Sequence, residues 1–254
     1  MAVFTQGENL TLHSNIIGEI KESTRLYRVF PRHHFLSLFK ENRNALARPA
    51  IWEDPFENVV LKAETVTGNG ERGRFGFHND VYGQCWTLET ASDAIWQIYS
   101  RGKDAIRVRT TVGKLLHSLA ANHGERAPAT CFIGRVDYLS DNGLREFSRT
   151  VFKSGIGGEA IARSLLAKRK AYRHENEVRL IYIERSDTKH PDGLYKYALE
   201  PRDIIDQIMV DGRVTYDEFL PFKKEVMELT RLSERQVMRS LLYQPPKDFL
   251  VEVP

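Results

Sequence analysis

Apolar residues recur along this chain at two rhythms, every second position in some stretches and every third or fourth in others, and the two are interleaved from end to end. Alternation and β-branched or aromatic content predict strands over 26–30, 81–88, 105–111, 130–139, 178–184, 194–199 and 207–210. Helical spacing predicts a helix over 32–45, with Phe35, Leu36, Leu38 and Phe39 on one side, and another over 112–122. A third covers 158–170, with Ile161, Leu165 and Leu166 inside. Thr90-Ala-Ser-Asp93 matches a capping box and opens a helix with Ile95, Trp96 and Tyr99 inward, closed by Gly102. Thr215 with Glu218 and Ser233 with Gln236 repeat the capping pattern, so the carboxyl end is expected to be helical. Gly134 inside the 130–139 strand predicts a bulge.

Strands and helices mix irregularly and several strands are hairpin-spaced. This predicts an α+β fold, with mixed and antiparallel sheets and flanking helices, rather than a doubly wound sheet. Without repeats or low-complexity tracts, one continuous architecture is expected. It comprises a loosely packed leader over 1–25, an α+β catalytic-type domain over 26–212, and a helical extension over 213–254 packed on that domain. Composition changes little: 254 residues, 41% hydrophobic and 28% charged, describe an ordinary globular chain with room for a real core. A net charge of +3 permits a nucleic-acid or nucleotide partner without demanding one. Cys85 and Cys131 lie outside any paired-cysteine spacing, so reduced thiols and a cytoplasmic setting are expected. No signal peptide and no membrane-length apolar run is visible. The scattered histidines have no metal-ligand spacing, so no metal is expected. Dinucleotide glycine fingerprints, phosphate-loop lysines and Gly-x-Ser-x-Gly are missing, which disfavours three common enzyme classes.

The densest chemistry lies in Lys168-Arg-Lys-Ala-Tyr-Arg-His-Glu175-Asn-Glu177-Val-Arg179. Two residues apart in extended chain, Glu175 and Glu177 would project from one face, where they repel unless a cation or hydroxyl-rich ligand separates them. Glu177 shares its face with Ile181 and Ile183, which pulls it inward, and buried carboxylates are seldom idle. The alternative is a solvated charge run. Arg28 lies among Leu26 and Phe30 on a core-facing strand and needs an anion, from a ligand or from an internal glutamate. Trp86, Trp96 and Tyr99 could line one cavity suited to a flat ring, or simply pack the core.

Taken in order, Leu26-Tyr27-Arg28, Trp52-Glu53-Asp54-Pro55-Phe56-Glu57, Cys85-Trp86-Thr87, Trp96-x-x-Tyr99 and 168–179 resemble a large uncharacterised bacterial family. Its pattern runs Tyr-Arg, Asn-Asp-Pro-Phe-Glu, Cys-Phe-Ser, Trp-x-x-Tyr and Glu-x-Glu-x-Arg. Glu53 replaces the asparagine here, and Trp86-Thr87 replaces Phe-Ser. More distantly, an early strand arginine, a middle strand ending in a hydroxyl and a late Glu-x-Glu strand resemble arginine-type ADP-ribosyltransferases. That resemblance implies an ADP-ribosyltransferase-like fold and NAD as substrate, with transfer to a protein or nucleic-acid acceptor or to water. It makes Arg28, Glu175 and Glu177 catalytic, with Arg28 on a phosphate or ribose, Glu177 on the nicotinamide-ribose hydroxyls and Glu175 orienting the acceptor. Tyr27, Thr87, Trp86, Trp96 and Tyr99 would complete the NAD cleft. A toxin or phage-defence role follows from the same resemblance; oligomers stay open, and the lack of a membrane-length apolar run predicts no membrane partner. Two other readings stay open. In one, Lys168, Arg169, Lys170 and Arg173 with Tyr172 track a nucleic-acid backbone. In the other, Arg28 and Glu177 pair as a buried salt bridge in a non-catalytic binding module.

Overall fold

The computed structural model describes residues 12–52, 57–188, 190–246 and 250–253. Glu53, Asp54, Pro55 and Phe56 of the motif therefore lie outside the described residues. In chain order the strands are β1 (Ile16–Ile17), β2 (Arg25–Pro31), β3 (Arg43–Ala47), β4 (Glu64–Val66), β5 (Arg72–Arg74), β6 (Val81–Thr87) and β7 (Ala105–Thr111). They continue as β8 (Cys131–Arg135), β9 (Asp137–Leu139), β10 (Ala167–Arg169), β11 (Glu177–Ile183), β12 (Leu194–Ala198), β13 (Gln207–Val210) and β14 (Val237–Arg239). Ten of them form one mixed sheet in the order β1-β8-β11-β6-β2-β7-β13-β14, with β3 on β6 and β12 on β3. The architecture is α+β with helices on the sheet faces, as the irregular mixture predicts.

One join in that sheet matters for everything that follows. β11 pairs with β6 over seven residues and β2 with β7 over seven, but β2 and β6 share a single pair, Tyr27 with Thr87. The sheet is thus two half-sheets hinged at one residue pair. Apolar side chains cover the two faces unequally. The larger core gathers Leu26, Trp86, Val108, Leu115, Val178, Leu180 and Tyr182 on one face. On the other face lie two smaller clusters, one per half-sheet: Val81, Phe132, Ile161, Leu165, Leu166, Ile181 and Ile183, and Val29, Ile95, Trp96 and Ala105. Between these two, at the hinge, the face turns polar.

Several predicted elements end differently, each for a local reason. The first helix spans Arg32–Glu41 because Asn42 adopts a left-handed conformation that stops it, and the following residues become β3. Ser92, not Thr90, caps the Asp93–Tyr99 helix by accepting from the Ile95 amide. That helix ends at Ser100 rather than Gly102. The 130–139 strand is two strands, β8 and β9, in different sheets. Gly134 makes room for a neighbour instead of a bulge: a Cβ there would stand 2.3 Å from Leu166 Cδ1. The helix expected over 158–170 spans only Gly158–Ser164, and β10 then pairs in parallel with β9 before a 3-10 segment, Lys170–Glu175. Gln236 Oε1 accepts from the Ser233 amide and hydroxyl, yet the chain enters β14, not a helix. The Thr215 capping box does open a helix, Tyr216–Thr230. Leu12 and Asn15 are buried, and Asn15 Nδ2 donates to the carbonyls of Pro128 and Cys131, so the described part of the leader is built into the fold.

Candidate active site

Strand register places the motif residues in one row. Glu177 stands opposite Thr87, Thr87 opposite Tyr27, and Tyr27 opposite Arg109, so all four side chains leave the same face across the hinge. Glu175 reaches this row by another route than extended pairing. It ends the 3-10 segment, and Asn176, at φ 42°, turns the chain into β11. Asn176 Nδ2 donates to Glu89 Oε1, and Thr87 Oγ1 donates to the Glu175 carbonyl at 2.5 Å, which pins the turn to the end of β6.

Among the described residues five charges meet beneath this turn, all buried: Glu57, Glu175, Glu177, Lys168 and Arg179. Lys168 Nζ lies 2.5 Å from Glu57 Oε1, 2.6 Å from Glu175 Oε2 and 3.4 Å from Glu177 Oε2. Arg179 grips both Glu177 oxygens, Nε to Oε1 at 2.8 Å and NH2 to Oε2 at 3.0 Å. It also donates to the Leu165 carbonyl at 2.6 Å and lies 4.7 Å from the Trp52 ring centroid. Trp52 can cover it because Gly83 beside it has no side chain: a Cβ would stand 2.8 Å from Trp52 Cζ2. The Glu177 amide donates to Tyr138 Oη at 2.8 Å. Ionised, the three carboxylates exceed the two cations by one negative charge.

Environment splits the carboxylates. Burial pushes Glu177 up, but the Arg179 fork and Lys168 outweigh it and hold the carboxyl at about 2. Burial raises Glu175 above its ordinary value, only partly offset by Lys168. Burial would lower the Lys168 ammonium, yet the surrounding carboxylates raise it. Two neighbouring carboxyls driven apart in this way have the form of an acid–base pair. Burial, with Glu177 beside it, also raises the Cys85 thiol well above its usual range.

The other predicted residues divide by face. Tyr99 is 45% exposed on the rim, and its hydroxyl is pushed up by burial and by nearby Glu175. Tyr27 is buried under the Arg107 guanidinium, 4.8 Å from its ring centroid. Thr87 sits in the row, but its hydroxyl is spent on backbone, donating to Glu175 and accepting from the Glu89 amide. Trp96 is core, packed with Val29 and Ala105. Trp86 points to the opposite face, where its indole N–H donates to Gln84 Oε1, so the two tryptophans do not share a cavity. Arg28 also leaves by that opposite face, partly exposed and without an ion pair among the described residues, and burial lowers its guanidinium. With Trp86, Asn44 and Leu115 it lines a cavity of about 20 Å³, room for about one water.

Two expectations are corrected here. Lys168 is buried among carboxylates and cannot contact a phosphate backbone, which leaves only Lys170 and Arg173 exposed from the basic run; Arg169 NH2 donates to Tyr172 Oη at 3.2 Å. Glu177 does form a buried salt bridge, but with Arg179 and Lys168, not with Arg28. Arg179, expected only as a cation near the two glutamates, proves to be the fork that holds Glu177, while Glu57, Trp52 and Tyr138 join the site without an assigned role. Glu57 closes the Asp-Pro-Phe-Glu motif, which was its only signal. Among the described residues no group of His, Cys, Asp and Glu is arranged to hold a metal ion, and no helix is long and apolar enough to cross a membrane.

No protein-family model and no curated protein matches the chain. Among solved structures it is similar to Thermus sp. 2.9 DarT in complex with ADP-ribosylated ssDNA, at 14% identity over 87% of this chain and 96% of that one, with a TM-score of 0.39. The same protein in complex with NAD+ gives 13% identity over 87% and 97%, also at 0.39. Its carba-NAD+ complex gives 14% over 86% and 96%, at 0.36.

Proposed function

We propose that this chain consumes NAD, breaking the nicotinamide–ribose bond and passing the ADP-ribosyl group to a macromolecular acceptor or to water. The observation that carries the proposal is the buried carboxylate cluster with one surplus negative charge, set in register with Thr87 and Tyr27 where the sheet divides. Breaking that bond releases neutral nicotinamide from a cationic ring and leaves an oxocarbenium-like ribosyl centre. Both the starting ring and the transition state carry positive charge. A fixed negative field costs no reorganisation at the moment of reaction and favours such charge development.

The roles follow from the pairing. Glu177, locked by Arg179 and ionised down to about pH 2, supplies the field. Both its oxygens are already bonded, so a direct bond to ribose hydroxyls is the lesser part of its role. Glu175, less tightly paired and with a raised proton affinity, takes the proton from the acceptor or water as the new bond to the ribosyl carbon forms. Tyr99, on the rim, offers a ring for the nicotinamide to stack on. Toxin or phage-defence action remains part of the proposal as the setting in which such an activity is useful.

Nicotinamide release from NAD tests the reading, with wild type beside Glu175→Gln and a thermal melt on each. Loss of about 10²-fold or more in rate with the melting temperature retained is expected. Wild type that releases no nicotinamide, even with cell lysate as acceptor source, would overturn it.

A further inference from the structure

Across the hinge from the carboxylate cluster lies its electrostatic counterpart. Arg109 faces Tyr27 directly on β7, and Arg107, two residues earlier on the same strand, projects from the same face. Neither has a carboxylate partner among the described residues. Arg107 is buried, yet among the described residues its guanidinium meets the Thr90 carbonyl and the Tyr27 ring and no carboxylate. The buried Nε of Arg109 has no hydrogen-bond partner among the described residues. Two guanidiniums side by side repel, and holding them half-desolvated without an anion is unfavourable. A fold that keeps both on one face, with a planar fork apiece, is prepared for an anion that takes several charge-assisted bonds at once.

We propose that Arg107 and Arg109 form an anion subsite that takes the diphosphate of the dinucleotide substrate, with Tyr27 as the spacer between it and the carboxylate cluster. Arg109 is the contact residue, and Arg107 holds Tyr27 and adds charge behind it. Rows of strands about 4.8 Å apart set the span: three steps separate Glu177 from Arg109, about 14 Å between backbones, and an arginine side chain closes much of that distance. Substrate orientation follows. The cationic nicotinamide end faces the surplus negative charge on β11, and the anionic middle of the molecule faces β7. A ligand with separated positive and negative groups matches the hinge face; a purely anionic or purely cationic ligand matches only half of it.

This inference rests on the NAD reading for its substrate, but its test does not. Titration calorimetry with ADP and with inorganic pyrophosphate measures the subsite without any turnover. Arg109→Gln should weaken ADP binding by about tenfold to a hundredfold, the range for losing a charge-assisted contact. Arg109→Lys should recover part of it, and removing a remote charge by Lys40→Gln should leave ADP affinity within about twofold. Melting temperatures confirm that each variant is folded. ADP binding that is lost in Arg109→Gln while wild type turns over no NAD would keep the subsite and remove the transferase reading. Wild type that binds neither ADP nor pyrophosphate, or NAD turnover with ADP affinity untouched by Arg109→Gln, would overturn the subsite.

Discussion

At the scale of single residues, the site is defined by unequal partners. Glu177 has two forked bonds from Arg179, while among the described residues the Glu175 carboxylate has one partner, Lys168, shared with two other carboxylates. The difference predicts opposite pH behaviour. Glu177 falls from an ordinary 4.5 to about 2 on folding, so its stabilisation is fully present above about pH 4.5 and is lost as pH falls toward 2. The shift corresponds to at most about 3 kcal/mol. Acid melts should therefore show a stability loss over that window in wild type that Glu177→Gln flattens. Burial raises Glu175 above its ordinary value, so nicotinamide release should increase with pH as it loses its proton. A rate profile that keeps this limb in Glu175→Gln would assign the proton to another group. Removing a cation is harsher than removing an anion here. Lys168→Met strands buried Glu175 and leaves Arg179 alone to serve Glu57 and Glu177, so a loss of about 3–5 kcal/mol is expected by denaturant unfolding, against near neutrality for exposed Lys170→Met.

Secondary structure shows why part of this was legible and part was not. Strands β2, β6 and β11 announce themselves by β-branched and aromatic content and β7 by alternation, and the sheet order then brings Tyr27, Thr87 and Glu177 into neighbouring strands. The segment 158–170 misleads because Ile161, Leu165 and Leu166 sit at helical spacing, yet the pull on Lys168 is tertiary. Three carboxylates from 57, 175 and 177 draw its ammonium inward, and the chain extends as β10 to let it reach. A lysine beside Arg169 and Lys170 looks solvated when only local charge is read. Arg28 and Trp86 stand apart from the carboxylate row for a simpler reason: neighbouring strand residues alternate faces, so Tyr27 and Thr87 lie in the row while Arg28 and Trp86 turn away. Gly83 is the element-scale test of the packing beneath the site. In Gly83→Ala the new methyl displaces the Trp52 indole from the Arg179 guanidinium, which should cost about 1–3 kcal/mol and shift the tryptophan emission. An unchanged melt and spectrum would show that Trp52 contributes little to holding Arg179.

Over the whole molecule, the two half-sheets carry opposite charge surpluses on one face and share a single ladder pair. Each half has its own small core on that face, and the larger core on the other face runs beneath both. Such a layout is stiff within each half and weakest along the hinge, because few hydrogen bonds and little apolar area must be lost to open it. A ligand that spans the hinge binds both halves at once, so closing should be coupled to occupancy rather than to either half alone. Amide hydrogen exchange reports this directly. In the free protein, peptides covering the β2–β6 edge should exchange faster than those covering β7 against β2, where seven pairs close the ladder. Adding NAD, or ADP for the cationic half alone, should slow the hinge peptides, and NAD should do so more strongly because it engages both charge surpluses. Equal protection by ADP and NAD would place all the binding energy on the arginine side and leave the carboxylate cluster a buried ion-pair network with no ligand of its own.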